Sequence, residues 1–294
     1  MYFPAVSNSL PVLFVFVDGL GLGSNDPAVN PLEDHARFPN LGKILTNAIP
    51  LDASLGVPGL PQSATGQAAL LTGLNAPALM GRHIEGFPPP RLKELVQDHN
   101  IFTKLIAAGK ICTFANAYWL DDIALIPARR ASVTTVATLA AFGIVRGKTD
   151  LLAGRAVYHD LTRERLRERG YDGPLITPAE AAEHLIGIAN EHDFTLFEFF
   201  ETDHAGHSGD PQKVFQCLEK LDRFFGVLLR FDGLLIITSD HGNIEDSTVR
   251  THTAHSVPLY ASIPAPFQAL ERIDQLAPAV LQLFQAGRLH RIWN

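Results

Sequence analysis

The sequence holds only two cysteines, no surplus of basic residues and no apolar run long enough to cross a bilayer. Each shortage closes off a class of protein. Cys112 and Cys217 lie far apart in apolar surroundings, which fits two reduced core thiols in a cytosolic protein better than a disulfide framework. A net charge of −7 offers no basic surface for nucleic acid or anionic lipid. Any anionic ligand must therefore meet a local positive site, and a bound metal would supply one. The apolar segment Val12–Val17 is far too short for a membrane helix, and no basic residue precedes it as in a secretory leader. Internal repeats and low-complexity tracts are missing as well. The expectations are a cytoplasmic location, no membrane association and no nucleic-acid partner.

What is present is an alternation of strand and helix signals over 294 residues, with 46% hydrophobic composition, enough for a substantial core in a single domain spanning 1–294. After an irregular lead-in over 1–11, VLFVFV at 12–17 reads as a strand buried on both faces. Similar strands are expected at 111–115, 194–200, 234–238 and 257–261. Helices are expected at 39–46, 68–73, 91–99, 101–108, 211–230 and 276–284, and the capping box Thr177-Pro178-Ala179-Glu180 opens another that runs to about Glu191. Residues 118–172 read as a mainly helical elaboration. Strands alternating with helices predict a three-layer α/β/α sandwich around a mostly parallel sheet.

The organising stretch is LLIITSDHGN at 234–243, an apolar run that stops at Asp240 and His241. Side chains alternate along a strand, so two polar residues just past its end lie at the carboxyl edge of the sheet, where open α/β sheets bind ligands. Other segments end in the same way: Asp18 after the first strand, Ser63 before an apolar helix, Asp203 with His207, and His252 with His255. The glycines of Asp18-Gly19-Leu20-Gly21-Leu22-Gly23 suggest a dinucleotide loop, but their G-x-G-x-G spacing and the acid at the strand tip argue against one. Ser63 reads either as a helix N-cap or as a nucleophile stabilised by a helix N-terminus. Three carboxylates delivered to one edge repel unless cations neutralise them, and mixed Asp and His donors suit zinc or manganese.

With the segments VFVDGLGLG, QSATGQAALLTG, TDHAGH, TSDHGN and THTAHSVP in that order, the chain resembles the alkaline phosphatase superfamily of metalloenzymes. Within it, the resemblance is to the branch containing cofactor-independent phosphoglycerate mutase and phosphopentomutase. It implies an alkaline phosphatase-like α/β/α fold and two divalent ions, manganese or zinc. One ion would be held by Asp203, His207 and His252, the other by Asp18, Asp240 and His241, with Ser63 as nucleophile bridging towards them. Two such ions set four positive charges against three carboxylates. His255 is left as a residue supporting the site or facing phosphate, and Arg82, His83, Asn116, Tyr118 and Arg250 are candidates for substrate contact.

The mutases carry a large inserted domain that excludes water. Here the stretch between Gly73 and Asp203 must also supply core elements, which leaves at most a small lid within 118–172. Gln67 stands where those mutases have His. Both departures favour hydrolysis of a small phosphorylated substrate over intramolecular transfer. Mutase activity, phosphodiester or phosphonate cleavage, and a non-catalytic metal-binding protein that keeps the fold are the alternatives. Sulfatase chemistry is the weakest, because no CxPxR-like motif surrounds Ser63.

Overall fold

The structure is a computed structural model that describes residues 10–120 and 122–287; most of the lead-in lies outside them. Six strands form one sheet: β1 (Val12–Val17), β2 (Ile49–Leu51), β3 (Cys112–Phe114), β4 (Phe194–Phe199), β5 (Leu234–Thr238) and β6 (Val257–Ala261), in the spatial order β2-β6-β5-β1-β4-β3. Four adjacent strands, β3, β4, β1 and β5, are parallel, whereas β6 runs antiparallel to β5 and β2 antiparallel to β6.

The strands' continuous apolar runs are explained by helices on both faces. Val12, Phe14 and Phe16 of β1 point into one core with Phe194, Leu196, Leu234 and Ile236. Leu13, Val15 and Val17 point into the other, with Phe197, Phe199, Leu235 and Ile237. Helices Ser63–Thr72, Pro90–His99, Ile101–Ala107, Val133–Phe142 and Leu276–Gln285 cover the first face; Pro39–Thr46, Pro178–Asn190 and Pro211–Leu228 cover the second. The fold is a three-layer α/β/α sandwich with a mostly parallel sheet. The expected strands and helices lie within several residues of their predicted bounds.

The structure departs from the expectations in several places. The edge strand β2 was not foreseen, because three residues with a central proline carry no strand pattern. Val133–Phe142 is no part of a lid, since Val133, Val136 and Ala137 are buried in the first core. What remains of 118–172 packs on a small cluster of its own, formed by Ala117, Leu151, Ala156, Tyr158, Leu166 and Tyr171. It is tied to the end of β3 by bridges from Asn116 to Val157 and from Ala117 to Arg146. Cys217 is buried but Cys112, on the edge strand β3, is only half-buried, and both are free thiols. No helix among the described residues is long and apolar enough to cross a membrane.

Candidate metal centre

Register brings the first ligand group together. Phe16 of β1 pairs with Thr238 of β5, so Asp18 and Asp240 each stand two residues past a paired position, level with one another at the carboxyl edge. The loop behind them is pinned. The Leu20 amide donates to Ser239 Oγ at 2.9 Å, and that hydroxyl donates to the His241 carbonyl at 2.8 Å. His241 Nε2 then lies 3.1 Å from Asp18 Oδ1 and 3.6 Å from Asp240 Oδ2.

The second group comes from a helix and a loop. Asp203 and His207 occupy one turn of the helix Glu201–Ser208, four residues apart and therefore on one face. His252 arrives on the loop before β6. Asp203 Oδ1 is 3.3 Å from His207 Nε2 and 3.4 Å from His252 Nε2, and the two Nε2 atoms are 3.1 Å apart. The ring of His252 stacks on that of His241 at 3.7 Å, so the two groups adjoin. Gly206 is required here, because a Cβ at that position would come within 2.3 Å of Asn243 Oδ1.

The donor sets fit divalent cations. His207 Nδ1 faces the Arg250 carbonyl at 2.8 Å, His252 Nδ1 the Pro61 carbonyl at 2.9 Å, and His241 Nδ1 the Gly242 carbonyl at 3.2 Å. A carbonyl only accepts, so each Nδ1 carries the hydrogen, and in the neutral ring Nε2 offers its lone pair to the site. Asp18 Oδ1 and Asp240 Oδ2 are buried without a hydrogen-bond partner, which is costly for a carboxylate unless a cation lies beside it. Within each triad the ligand atoms lie within 4.8 Å of one another. Burial, then the charge of Asp18, push the Asp240 carboxyl well above its ordinary value. Burial alone would lower the pKa of His241, yet the charges of Asp240 and Asp18 carry it up to about 10. Asp203 is held below the usual carboxylate range: burial opposes this, and the hydrogen bond to His252 and the charge of His241 outweigh it. The shifts at Asp240 and His241 express an excess of negative charge in the buried group, whereas that at Asp203 expresses the histidines beside it.

Ser63 opens the helix Ser63–Thr72, with Gln62 at the cap position, so it is no N-cap. Its Oγ is 3.0 Å from His241 Nε2, at the junction of the two groups. Gly66 lets this helix approach, since a Cβ there would sit 2.7 Å from the Asp240 carbonyl oxygen.

A cavity of about 550 Å³ opens beside Ser63, Asp18 and Asp203, and Asn116 and Tyr118 line it. The Asn116 amide is spent on the backbone of β4, donating to the Glu198 carbonyl at 2.7 Å and accepting from its N–H at 2.8 Å. The Tyr118 hydroxyl is paired with Thr135 at 2.6 Å. Four other candidates for substrate contact are placed elsewhere. Arg82 and Arg250 are exposed outside the lining, His83 Nε2 bonds the Val57 carbonyl at 3.1 Å, and His255 Nδ1 faces Glu245 Oε1 at 3.1 Å.

Sequence reasoning missed three supporting residues. Asn243 donates to Asp203 Oδ1 at 2.6 Å and fixes that ligand. Glu245, fully buried, accepts from the amides of Gly21 at 3.0 Å and Asn243 at 2.7 Å, from the Thr253 hydroxyl and from His255. It thereby ties the loops after β1 and β5 to the one before β6. Glu198, a lone acid in the apolar run FTLFEF, is buried in the cavity wall and accepts from Thr134 Oγ1 at 2.6 Å. That lone charge was the available signal; Asn243 and Glu245 follow DHG as ordinary loop polars and carried none.

The family's profile matches residues 10–285, and the chain belongs to the Metalloenzyme superfamily. It is 30% identical over 126 residues to a 2,3-bisphosphoglycerate-independent phosphoglycerate mutase of Cereibacter sphaeroides, covering 38% of this chain and 25% of the mutase. A mutase of the same name from Francisella philomiragia is 29% identical over 131 residues, 39% of this chain and 26% of that protein. The chain thus matches only about a quarter of these relatives' length. Among solved structures, the PH0037 protein from Pyrococcus horikoshii superimposes with TM-score 0.55 at 17% identity, covering 94% of this chain and 97% of that one. A cold-active alkaline phosphatase from Shewanella gives TM-score 0.55 at 10% identity, covering 93% and 99%. These likenesses show the alkaline phosphatase-like fold, and the relatives fall in the mutase branch that the sequence motifs resemble.

Proposed function

We propose that the protein is a two-metal phosphohydrolase that cleaves a small phosphoester through a phosphoserine on Ser63. The observation that carries the reading is the meeting of Ser63 Oγ with two ligand groups, in one of which the buried carboxylate oxygens Asp18 Oδ1 and Asp240 Oδ2 lack partners. Asp203, His207 and His252 would hold one ion and Asp18, Asp240 and His241 the other, and these mixed donors suit manganese or zinc. Such ions, when bound, supply positive charge that lowers the pKa of a serine hydroxyl and stabilises the transferring phosphoryl oxygens. Ser63 Oγ gives its proton to water and attacks phosphorus. The P–O bond to the alcohol breaks as the Oγ–P bond forms, and the departing alkoxide takes a proton from water. The amino end of the helix beneath Ser63 favours the anionic phosphoryl group. Water then attacks the phosphoserine, releasing inorganic phosphate and restoring the hydroxyl.

Intramolecular transfer, as the relatives' names suggest, is the second reading. Hydrolysis is supported by the small cover over the site: four helices between Gly73 and Asp203 are committed to the two cores, and among the described residues the small cluster around Tyr158 and Leu166 is what remains to shield the phosphoserine from water. The test is metal-stripped protein reconstituted with manganese or zinc, assayed on p-nitrophenyl phosphate and its bis-ester beside Ser63→Ala. Metal-dependent release that falls by more than about a thousandfold in Ser63→Ala, with phosphoserine trapped by mass spectrometry, is the expected result. Release that survives Ser63→Ala, or its absence with both ions bound, would overturn the reading.

A further inference from the structure

Six aromatic residues line the cavity beside Ser63: Phe87, Phe114, Tyr118, Trp119, Tyr158 and Phe200. Several are fixed from behind. Trp119 is held edge-on by Tyr171, with centroids 5.4 Å apart at 82°, and Phe200 stacks on His159 at 4.2 Å and 25°. Because the Tyr118 hydroxyl is taken by Thr135, that residue offers the cavity its ring. Phe87 is different: it is 53% exposed, a large apolar ring facing water at the edge of the cavity.

Charge points the same way. Among the described lining residues Arg130 and Arg169 are the only guanidinium or ammonium groups, and both are exposed. Glu198, an acid, is buried in the wall away from the metal ligands. A substrate that buried a second carboxylate or phosphate here would meet no buried guanidinium or ammonium group to compensate its desolvation, and the lining His159 is already turned to Glu201. A flat apolar ring would instead find aromatic faces on several sides. About 550 Å³ also falls in the range of sites that enclose a drug-sized molecule, well beyond a phosphate on a three-carbon stub.

Resting on the phosphoesterase reading of this same site, we infer that its substrates are phosphate esters whose alcohol carries a flat aromatic ring, of the nucleoside class. The phosphate lies at Ser63, and the ring stacks among Phe87, Trp119 and Tyr158.

Adenosine 5′-monophosphate and ribose 5-phosphate isolate the ring, because the same phosphate leaves the same primary alcohol and only the base differs. With metal-loaded full-length protein, kcat/KM for the nucleotide exceeds that for the sugar phosphate by at least about tenfold, the scale one stacked base supplies. Phe87→Ala and Trp119→Ala both narrow the ratio; the exposed Phe87 keeps the comparison valid where Trp119→Ala does not fold. Equal or reversed rates, or a ratio unmoved in Phe87→Ala, overturn the inference while leaving phosphohydrolase activity intact. Release from neither ester, with two ions bound, strikes at the hydrolase reading instead. Calorimetric binding to metal-loaded Ser63→Ala then decides the ring: about tenfold tighter binding of the nucleotide sustains it, and equal or undetectable binding of both overturns it.

Discussion

Asp18, Asp240 and His241 stand at the ends of β1 and β5, none more than 7% exposed, whereas His207 rides on a short helix with its side chain 41% exposed. The sheet supplies one group with a rigid frame fixed by strand register. The helix Glu201–Ser208 and the loop before β6 supply the other from two separate pieces, joined where His207 Nδ1 meets the Arg250 carbonyl. The buried group also carries two carboxylates against one for the exposed group, so it gains more from a cation and suffers more without one. The contrast teaches that two adjoining ligand groups in one cleft need not be equivalent. If both take ions as proposed, the buried group would retain its ion and the exposed group would exchange it.

The largest effect that tests this contrast is expected at Asp240. Asp240→Asn removes a charge that burial and Asp18 already disfavour. Metal-stripped Asp240→Asn therefore melts above the parent in calorimetry, while the metal-loaded variant loses turnover by more than about a hundredfold. His207→Ala, on the exposed side, leaves one ion per chain by elemental analysis; loss of both ions would break the distinction. Next comes Glu245→Gln, which loosens loops serving both groups, so titration with manganese shows both affinities falling by about 10–100-fold. Asn243→Ala is smaller, about tenfold, and confined to the group containing Asp203.

The smallest effect is a pH dependence at Glu198. Burial, aided by the charge of Asp18 and opposed by the Thr134 hydrogen bond, pushes its carboxyl up to about 8. The folded protein thus keeps a proton that the unfolded chain releases above an ordinary value of 4.5. The stability this group contributes is complete below that value and is lost as pH rises to about 8. Glu198→Gln removes the slope, so metal-stripped variant and parent melt together at pH 4, and the variant melts a few degrees higher at pH 8.

Much of this was legible before any coordinates, for a definite reason. The strands β1, β4 and β5 are buried on both faces, so they are continuous apolar runs, and their polar tips stand out by contrast. Asp18 and the pair Asp240 and His241 stood out because each follows such a run, whereas Asp203, His207 and His252 were suggested as ligands by the motif resemblance. Strand direction could not be read. Val257–Ala261 reads identically whether it runs with β5 or against it, and only the fold reveals the reversal. The supporting acids were hidden for the opposite reason: Glu245 in a polar loop looks like a solvated residue until its four partners are seen. Asn116 and Tyr118 were placed near substrate by position along the chain, but their polar groups are consumed by Glu198 and Thr135, a matter of packing that spacing does not encode.

The central position of β1 has a consequence for how the chain is made. Its hydrogen-bonding neighbours are β4 and β5, which begin at Phe194 and Leu234. A ribosome working at about 5–20 residues per second reaches β5 on the order of ten to forty seconds after finishing β1. For most of that interval, until β4 is made, VLFVFV, an uncharged stretch of β-branched and aromatic residues, has neither of its sheet partners. Such a segment is a template for pairing with other chains. The same strand that later anchors Asp18 is therefore the nascent chain's main aggregation hazard, and the point at which a chaperone would have most to protect.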